Sequence, residues 1–345
     1  MGRTMGIEPT HDGTTTRCVN HFTTFAIFFA FLYQASIIIA YPFRFVNTFV
    51  EFFLKNCYNP VTRSDSMRNI ALLCDSSADI TKEEAKKLNI HVIRMPITIN
   101  GKEYIEEETI FDEDIIRALK NDEKVKTAQP IIGDLTNMWN ELLKTYDEVF
   151  YIPLSRELSG TCRVAIALAE KFEGRVCVVD SEYVCYPVVH QLKVARDMFS
   201  KGYTSAEVKE KLENESDMFA ILIPETLTAL KNGGRISPAA AALAGLLKIQ
   251  PLLKVEHGAI DLVDKVRTLK KAYKEGIKVV MEGIDPEDYD WMIIDAYNRE
   301  VSDELKIMLE EAIGRPVEQH VFKAVIMTHT GPGTIGFGRI KKIRY

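Results

Sequence analysis

Six cysteines are present (Cys18, Cys57, Cys74, Cys162, Cys177 and Cys185), yet no two form a CxxC pair and none stands at Cys/His ligand spacing. Structural zinc is therefore not expected, and a chain of 345 residues does not need a disulfide framework to hold a core. Cys74 and Cys177 lie in apolar, strand-like runs, the setting of a reduced, buried thiol. The sequence has no Walker loop, no GxGxxG with an acidic partner and no Gly-x-Ser-x-Gly elbow. Those absences disfavour P-loop, dinucleotide and α/β-hydrolase chemistry. A net charge of −6 leaves no broad basic surface, so nucleic acid is not an expected partner. There is no internal repeat and no low-complexity linker. What remains is 46% hydrophobic and 27% charged, a globular composition of cytosolic type, long enough for two domains.

The first 66 residues do not match the rest. The run 25–41 is interrupted only by Gln34 and Ser36 and approaches the ~20 residues that cross a bilayer. Taken literally it is an N-terminal membrane anchor or a signal sequence, flanked by Arg17 and His21 and ended by Pro42 and Arg44. The preferred reading differs. Residues 6–22 resemble a conceptual translation of structural-RNA gene sequence, and Met67 stands directly before a segment that opens like an α/β domain. Met67 is thus expected to be the true start, with 1–66 set aside from fold reasoning.

From there the chain alternates. Residues 69–74 read as a strand, followed by a helix capped at Thr81 with Glu84 three residues on. Asn100-Gly101 signals a hairpin between 91–99 and 102–105, and 111–121 reads as a helix. Then 148–153, 159–172 and 175–180 form a strand–helix–strand unit, with helices over 184–201 and 205–214. This argues for a parallel sheet covered on both faces. Beyond about residue 217 hairpins take over: strands at 218–223, 252–255, 259–263 and 290–296, a turn at His257-Gly258, a helix over 302–313 and a last strand over 317–327. The expected architecture is α/β with two domains, 67–217 carrying the parallel sheet and 218–345 a smaller α+β domain.

Four clusters carry candidate chemistry: Thr127-Ala-Gln-Pro, Leu158-Ser-Gly-Thr, Gly233-Gly-Arg-Ile-Ser and His329-Thr-Gly-Pro-Gly. Ser159 and Gly160 open a helix, where unpaired N–H groups and partial positive charge favour an anion. Ser159 also reads as a plain N-cap. Thr127 ends a short strand and is expected at the carboxyl edge of the parallel sheet, where ligands bind. Arg235 can pair a carboxylate through two parallel hydrogen bonds, or be a surface residue after a helix C-cap. His329 is expected after the last strand, as a ligand contact or a structural histidine. No cluster contains a nucleophile beside its base. Together they suit gripping one anionic head group and leaving it chemically intact.

That combination resembles the DegV family of bacterial fatty-acid-binding proteins. The resemblance spans 67–338 and includes Asp75-Ser-Ser-Ala-Asp, the four clusters, Val179-Asp-Ser, Leu247-Lys-Ile-Gln-Pro-Leu-Leu and Lys265-Val-Arg-Thr. Ala128 departs from the serine usual in the first motif. The resemblance implies two α/β domains with a lipid between them, and delivery of a long-chain fatty acid to a separate ATP-dependent kinase that makes an acyl phosphate for phospholipid synthesis. It implies that Thr127, Ser159 and Gly160 hold the carboxylate with Arg235 and His329 nearby, and that Arg267 contacts the kinase subunit. No catalytic residue, metal or cofactor is implied on this chain, since ATP and Mg²⁺ belong to the kinase. The implied location is cytoplasmic, with transient membrane contact compatible with it. Ile131, Val164, Leu243 and Leu247 are candidate tunnel walls, with core packing as the alternative for each. Two competing readings are a stand-alone hydrolase or phosphotransferase using Asp75, Ser159 and His329, and a membrane-tethered lipid sensor anchored by 22–54.

Overall fold

The structure, a computed structural model, describes residues 68–245 and 249–345. The expectations that concern 1–66, Met67 and Leu247 lie outside the described residues. Among the described residues, thirteen strands form three sheets: β1 (Ile70–Asp75), β2 (His91–Ile93), β3 (Pro96–Ile99), β4 (Lys102–Ile105), β5 (Val125–Thr127), β6 (Glu148–Ile152), β7 (Val176–Val178), β8 (Met218–Ile223), β9 (Gln250–Glu256), β10 (Ala259–Val266), β11 (Tyr289–Asp295), β12 (Glu318–Val321) and β13 (Ile335–Lys341).

The parallel sheet runs β2-β1-β6-β7. Its strands are apolar on both faces because both are covered, as parallel sheets require. One face packs Leu73, Val149 and Tyr151 against Leu135, Trp139 and Ala165 of the helices Ile132–Leu142 and Thr161–Ala169. The other packs Leu72, Phe150 and Ile152 with Val189 and Leu192 of the helix Tyr186–Ser200. This is the flanked parallel sheet that the alternation of strands and helices predicts.

A three-stranded antiparallel sheet, β4-β3-β5, sits apart from it. Asn100 and Gly101 both take positive φ and close the β3–β4 hairpin. This sheet corrects one expectation. Thr127 ends β5, which pairs antiparallel with β3 (Ile97 opposite Thr127), so it does not stand at the parallel sheet's edge.

The six-stranded sheet has the order β10-β9-β8-β13-β11-β12 and is antiparallel except for β11–β12. Side chains alternate across it with the period of two that strands impose. Phe219, Ile221, Trp291, Ile293 and Phe337 form its outer face, against the helices Leu269–Val280 and Arg299–Ile313. Met218, Leu222, Val255, Met292, Ile294 and Ile340 face inward, toward the residues of the first half.

The last expected strand, 317–327, is two elements: β12 ends at Val321 and a helix runs Ala324–Thr330. The buried apolar stretch 324–327 reads the same in either conformation. His329 therefore sits in the last turn of a helix, and a further strand, β13, follows it through the Gly331-Pro-Gly turn.

Candidate functional site

Between the inner face of the six-stranded sheet and the loops of the first half lies a cavity of about 400 Å³, within the range of small-molecule sites. Thr127, Ser159, Gly160, Arg235 and His329 all line it. Local folding explains how each arrives.

After β6 the chain is pinned by the Asp75 carboxylate, which accepts the Leu154 N–H at 2.9 Å. Ser155 then closes a turn: its carbonyl accepts the N–H groups of Leu158 and Ser159, and its hydroxyl donates to Gly258 O. Gly160 is the N-cap of the helix Thr161–Ala169 and lines the cavity. The Ser159 hydroxyl lies 2.9 Å from Thr161 Oγ1 and accepts the Thr161 N–H at 3.3 Å. A Cβ at Gly160 would come within 3.1 Å of the Gln129 amide, so glycine lets the Thr127–Gln129 turn close over this loop.

His329 Nε2 and Thr127 Oγ1 are 2.7 Å apart, joining residues 202 positions distant. The other ring nitrogen, Nδ1, is buried without a hydrogen-bond partner. It lies against Gly233, where a Cβ would stand 2.5 Å from it. Gly234, at φ +66°, ends the helix Thr228–Gly233 and turns Arg235 toward the rim. Arg235 is exposed; its Nε donates to Leu158 O at 3.3 Å and its Nη1 to Gly233 O, tying the loop before Ser159 to the glycine pair. Burial, with the Arg235 charge adding to it, depresses His329 to about 4. The imidazole is neutral at pH 7, and an arriving anion would raise its proton affinity.

Beyond this polar end the walls are apolar. Val325 and Ile326 come from the His329 helix, and Met218, Ala220, Met292 and Ile294 from the sheet. Gly336 and Gly338 of β13 also line the space. Of the candidate wall residues with core packing as their alternative, Leu243 packs against the core. Ile131 is 47% exposed, and Val164 and Leu243 do not line the cavity. The available signal was the alternation Ile335-Gly-Phe-Gly, with glycine on one face and large residues on the other. Arg267 is exposed just after β10 and does not line the cavity.

A hydrolytic arrangement of Asp75, Ser159 and His329 is not assembled. Asp75 is consumed by Ser77, Leu154 N–H and, at 3.4 Å, the Tyr151 hydroxyl. Its carboxyl is raised above the usual range, by burial against those hydrogen bonds. The hydroxyl paired with His329 belongs to Thr127, and that of Ser159 to Thr161. Among the described residues no helix is long and apolar enough to cross a membrane, and no group of His, Cys, Asp or Glu is arranged to hold a metal ion.

Residues 69–342 match the family model described as "Uncharacterised protein, DegV family". A DegV domain-containing protein of Staphylococcus aureus is 32% identical over 274 residues, covering 79% of this chain and 98% of its own. One from Listeria monocytogenes is 30% identical over 277 residues, with the same coverage. Among solved structures, a fatty-acid-binding DegV family protein from Thermus thermophilus superposes with a TM-score of 0.71 at 28% identity, covering 79% of this chain and 99% of that one. DegV from Bacillus subtilis, described as a fatty acid binding protein, gives a TM-score of 0.69 at 29% identity, covering 80% and 100%.

Proposed function

The chain belongs to the DegV family, and from that premise we propose that it binds a long-chain fatty acid by its carboxylate and presents it to a separate ATP-dependent kinase for acyl-phosphate formation. The observation that carries this reading is the contact between Thr127 and His329 at the polar end of an otherwise apolar cavity, with Ser159, Gly160 and Arg235 on the same rim. A carboxylate taken out of water must be given donors in place of its hydration. Two hydroxyls, a helix-start amide and a guanidinium supply them. The tail supplies the affinity: at ~0.8 kcal/mol per methylene, roughly 15 of them give a gross ~12 kcal/mol before association and ordering costs. The head group fixes orientation, and the apolar walls set strength.

In this reading the chain holds its ligand and does not turn it over. Phosphoryl transfer needs a carboxylate oxygen in line with the γ-phosphate, with ATP and Mg²⁺ carried by the kinase. Arg235 at the rim is placed to steady charge there, and exposed Arg267 is a candidate kinase contact. Native mass spectrometry with lipid extraction tests the first half: one fatty acid per chain is expected. The variant Thr127→Ala with Ser159→Ala should release it about 100-fold more readily, for two charge-assisted hydrogen bonds lost, while folding normally. A cavity that stays empty after incubation with fatty acids would remove the proposal. Acyl-phosphate formation by the purified chain alone would remove the division of labour.

A further inference from the structure

Two carboxylates outside the cavity wall grip the helix that carries His329. Asp79 and Glu106 are both buried, 3% and 1% exposed. Asp79 Oδ1 accepts the Lys323 N–H at 2.8 Å, and Glu106 Oε1 accepts the Val325 N–H at 3.4 Å. These are the leading amides of the helix Ala324–Thr330. Arg94 braces the arrangement: its Nη1 donates to Glu106 Oε2 at 3.1 Å and to Ile80 O at 3.3 Å, and its Nη2 pairs with Glu107 at 2.6 Å. Lys323 Nζ pairs with Asp112 at 3.0 Å. All of these partners come from residues 79–112, whereas the helix connects β12 to β13 of the six-stranded sheet. The helix is thus fastened to the first half at both ends, by two acids at its start and by the Thr127–His329 contact at its finish.

We propose that Asp79 and Glu106 are positioning residues for ligand exchange, holding the start of this helix so that His329 at its end stays against Thr127 and the cavity stays closed over its ligand. The inference rests on the carboxylate-binding reading of that cavity. Loosening the acids frees the helix to tilt, which separates His329 from Thr127 and opens the polar end.

The acids are also titratable. Burial raises Glu106 to about 7; Arg94 opposes that shift, and Asp112 and Glu107 add to it. Burial raises Asp79 well above the usual range, opposed by the Lys323 N–H and the Cys185 thiol, with Glu106 and Asp112 adding. Glu106 is therefore ionised above about pH 7, where its bonds to Arg94 and Val325 are charge-assisted, and neutral below, where they weaken. Ligand exchange should quicken as pH falls through that value.

The experiment follows release of a fluorescent long-chain fatty acid from the full chain into excess unlabelled acid, from about pH 8.5 to about pH 6. Wild type is expected to release roughly tenfold faster at the acid end, as charge assistance is lost. Glu106→Gln should be fast throughout and show no pH step. In parallel, the ring resonances of His329 in the ligand-free protein should move toward those of an ordinary histidine in Glu106→Gln, because the ring leaves its dry setting. Asp79→Asn, which alters the contacts to the Lys323 N–H and the Cys185 thiol and leaves Glu106 in place, should show the same two changes in smaller measure and serves if Glu106→Gln does not fold. Wild-type release rates and an unmoved His329 signal in these variants would overturn the inference. Failure of the wild type to bind the probe at all would instead overturn the fatty-acid reading, and the His329 signal would still test the clamp.

Discussion

On the outer face of the six-stranded sheet Phe219, Trp291 and Phe337 are closed over by two helices, whereas on the inner face of the same strands Ala220 and Gly336 border the cavity. Both faces are apolar, and hydropathy does not separate them. Side-chain volume does. On the outer side a glycine sits in the helix Leu269–Val280, so that Phe337 can seat against it: a Cβ at Gly276 would lie 2.6 Å from Phe337 Cζ and 3.2 Å from Ile221 Cγ2. On the inner side the glycines sit in the strand. One face is covered by helices; the other borders the cavity.

The largest effect that would test this contrast is on stability. Phe337→Ala should cost about 3–5 kcal/mol, because the packed face cannot collapse around the lost ring. Met292→Ala, on the inner face, should cost nearer ~1–2 kcal/mol in the ligand-free protein, since its side chain already borders empty space. Added fatty acid should widen the Met292→Ala deficit and leave the Phe337→Ala deficit alone. Urea midpoints with and without fatty acid measure both. Equal costs at the two positions would mean that the faces are packed alike.

The polar end of the cavity gives the next test. His329 is depressed from an ordinary ~6.5 to about 4, so the unfolded chain binds the extra proton first as pH falls. Stability from keeping this ring neutral is complete above about pH 6.5 and is lost between there and about pH 4, amounting to ~3 kcal/mol. His329→Gln should flatten that part of the pH–stability curve. A bound carboxylate, by raising the ring's proton affinity, should shrink the loss. If the slope persists in His329→Gln, this end of the cavity is as wet as an ordinary surface.

Much of this fold is legible from local chemistry. The apolar runs of β1, β6 and β7 declare a covered parallel sheet, and both hairpin turns are written in their residues: Asn100, Gly101, His257 and Gly258 all adopt the positive φ that such turns need. The four polar clusters could be picked out because serine, threonine, arginine and histidine beside glycine turns are conspicuous in sequence; the structure gathers them on one cavity without assigning their roles. Which apolar residues wall the cavity is not legible in sequence. Each strand divides its side chains between two faces, and sequence does not say which faces a ligand. The helix Leu269–Val280 is hidden in sequence because Gly276 interrupts its helical pattern, and β13 because two glycines weaken a strand. Among the strands that wall the cavity, β8 and β11 are legible in sequence, and β13, with Gly336 and Gly338, is not.

The two glycine positions therefore make the finest test. Gly276→Ala improves helix propensity by about 1 kcal/mol but drives a methyl into Phe337, an overpacking cost of ~1–3 kcal/mol, so a net loss of about 1 kcal/mol is expected. Gly336→Ala puts its methyl 3.1 Å from Phe322 Cζ and 3.5 Å from Leu222 Cδ1, beside open volume into which the ring can shift. Its stability should change by less than about 0.5 kcal/mol, while the methyl takes room from the ligand and shortens the acyl chains recovered with the protein. Thermal melts and lipid extraction of the two variants separate the outcomes. A destabilised Gly336→Ala with unaltered lipid content would place that glycine among packing requirements like Gly276, and the inner face would lose its distinction.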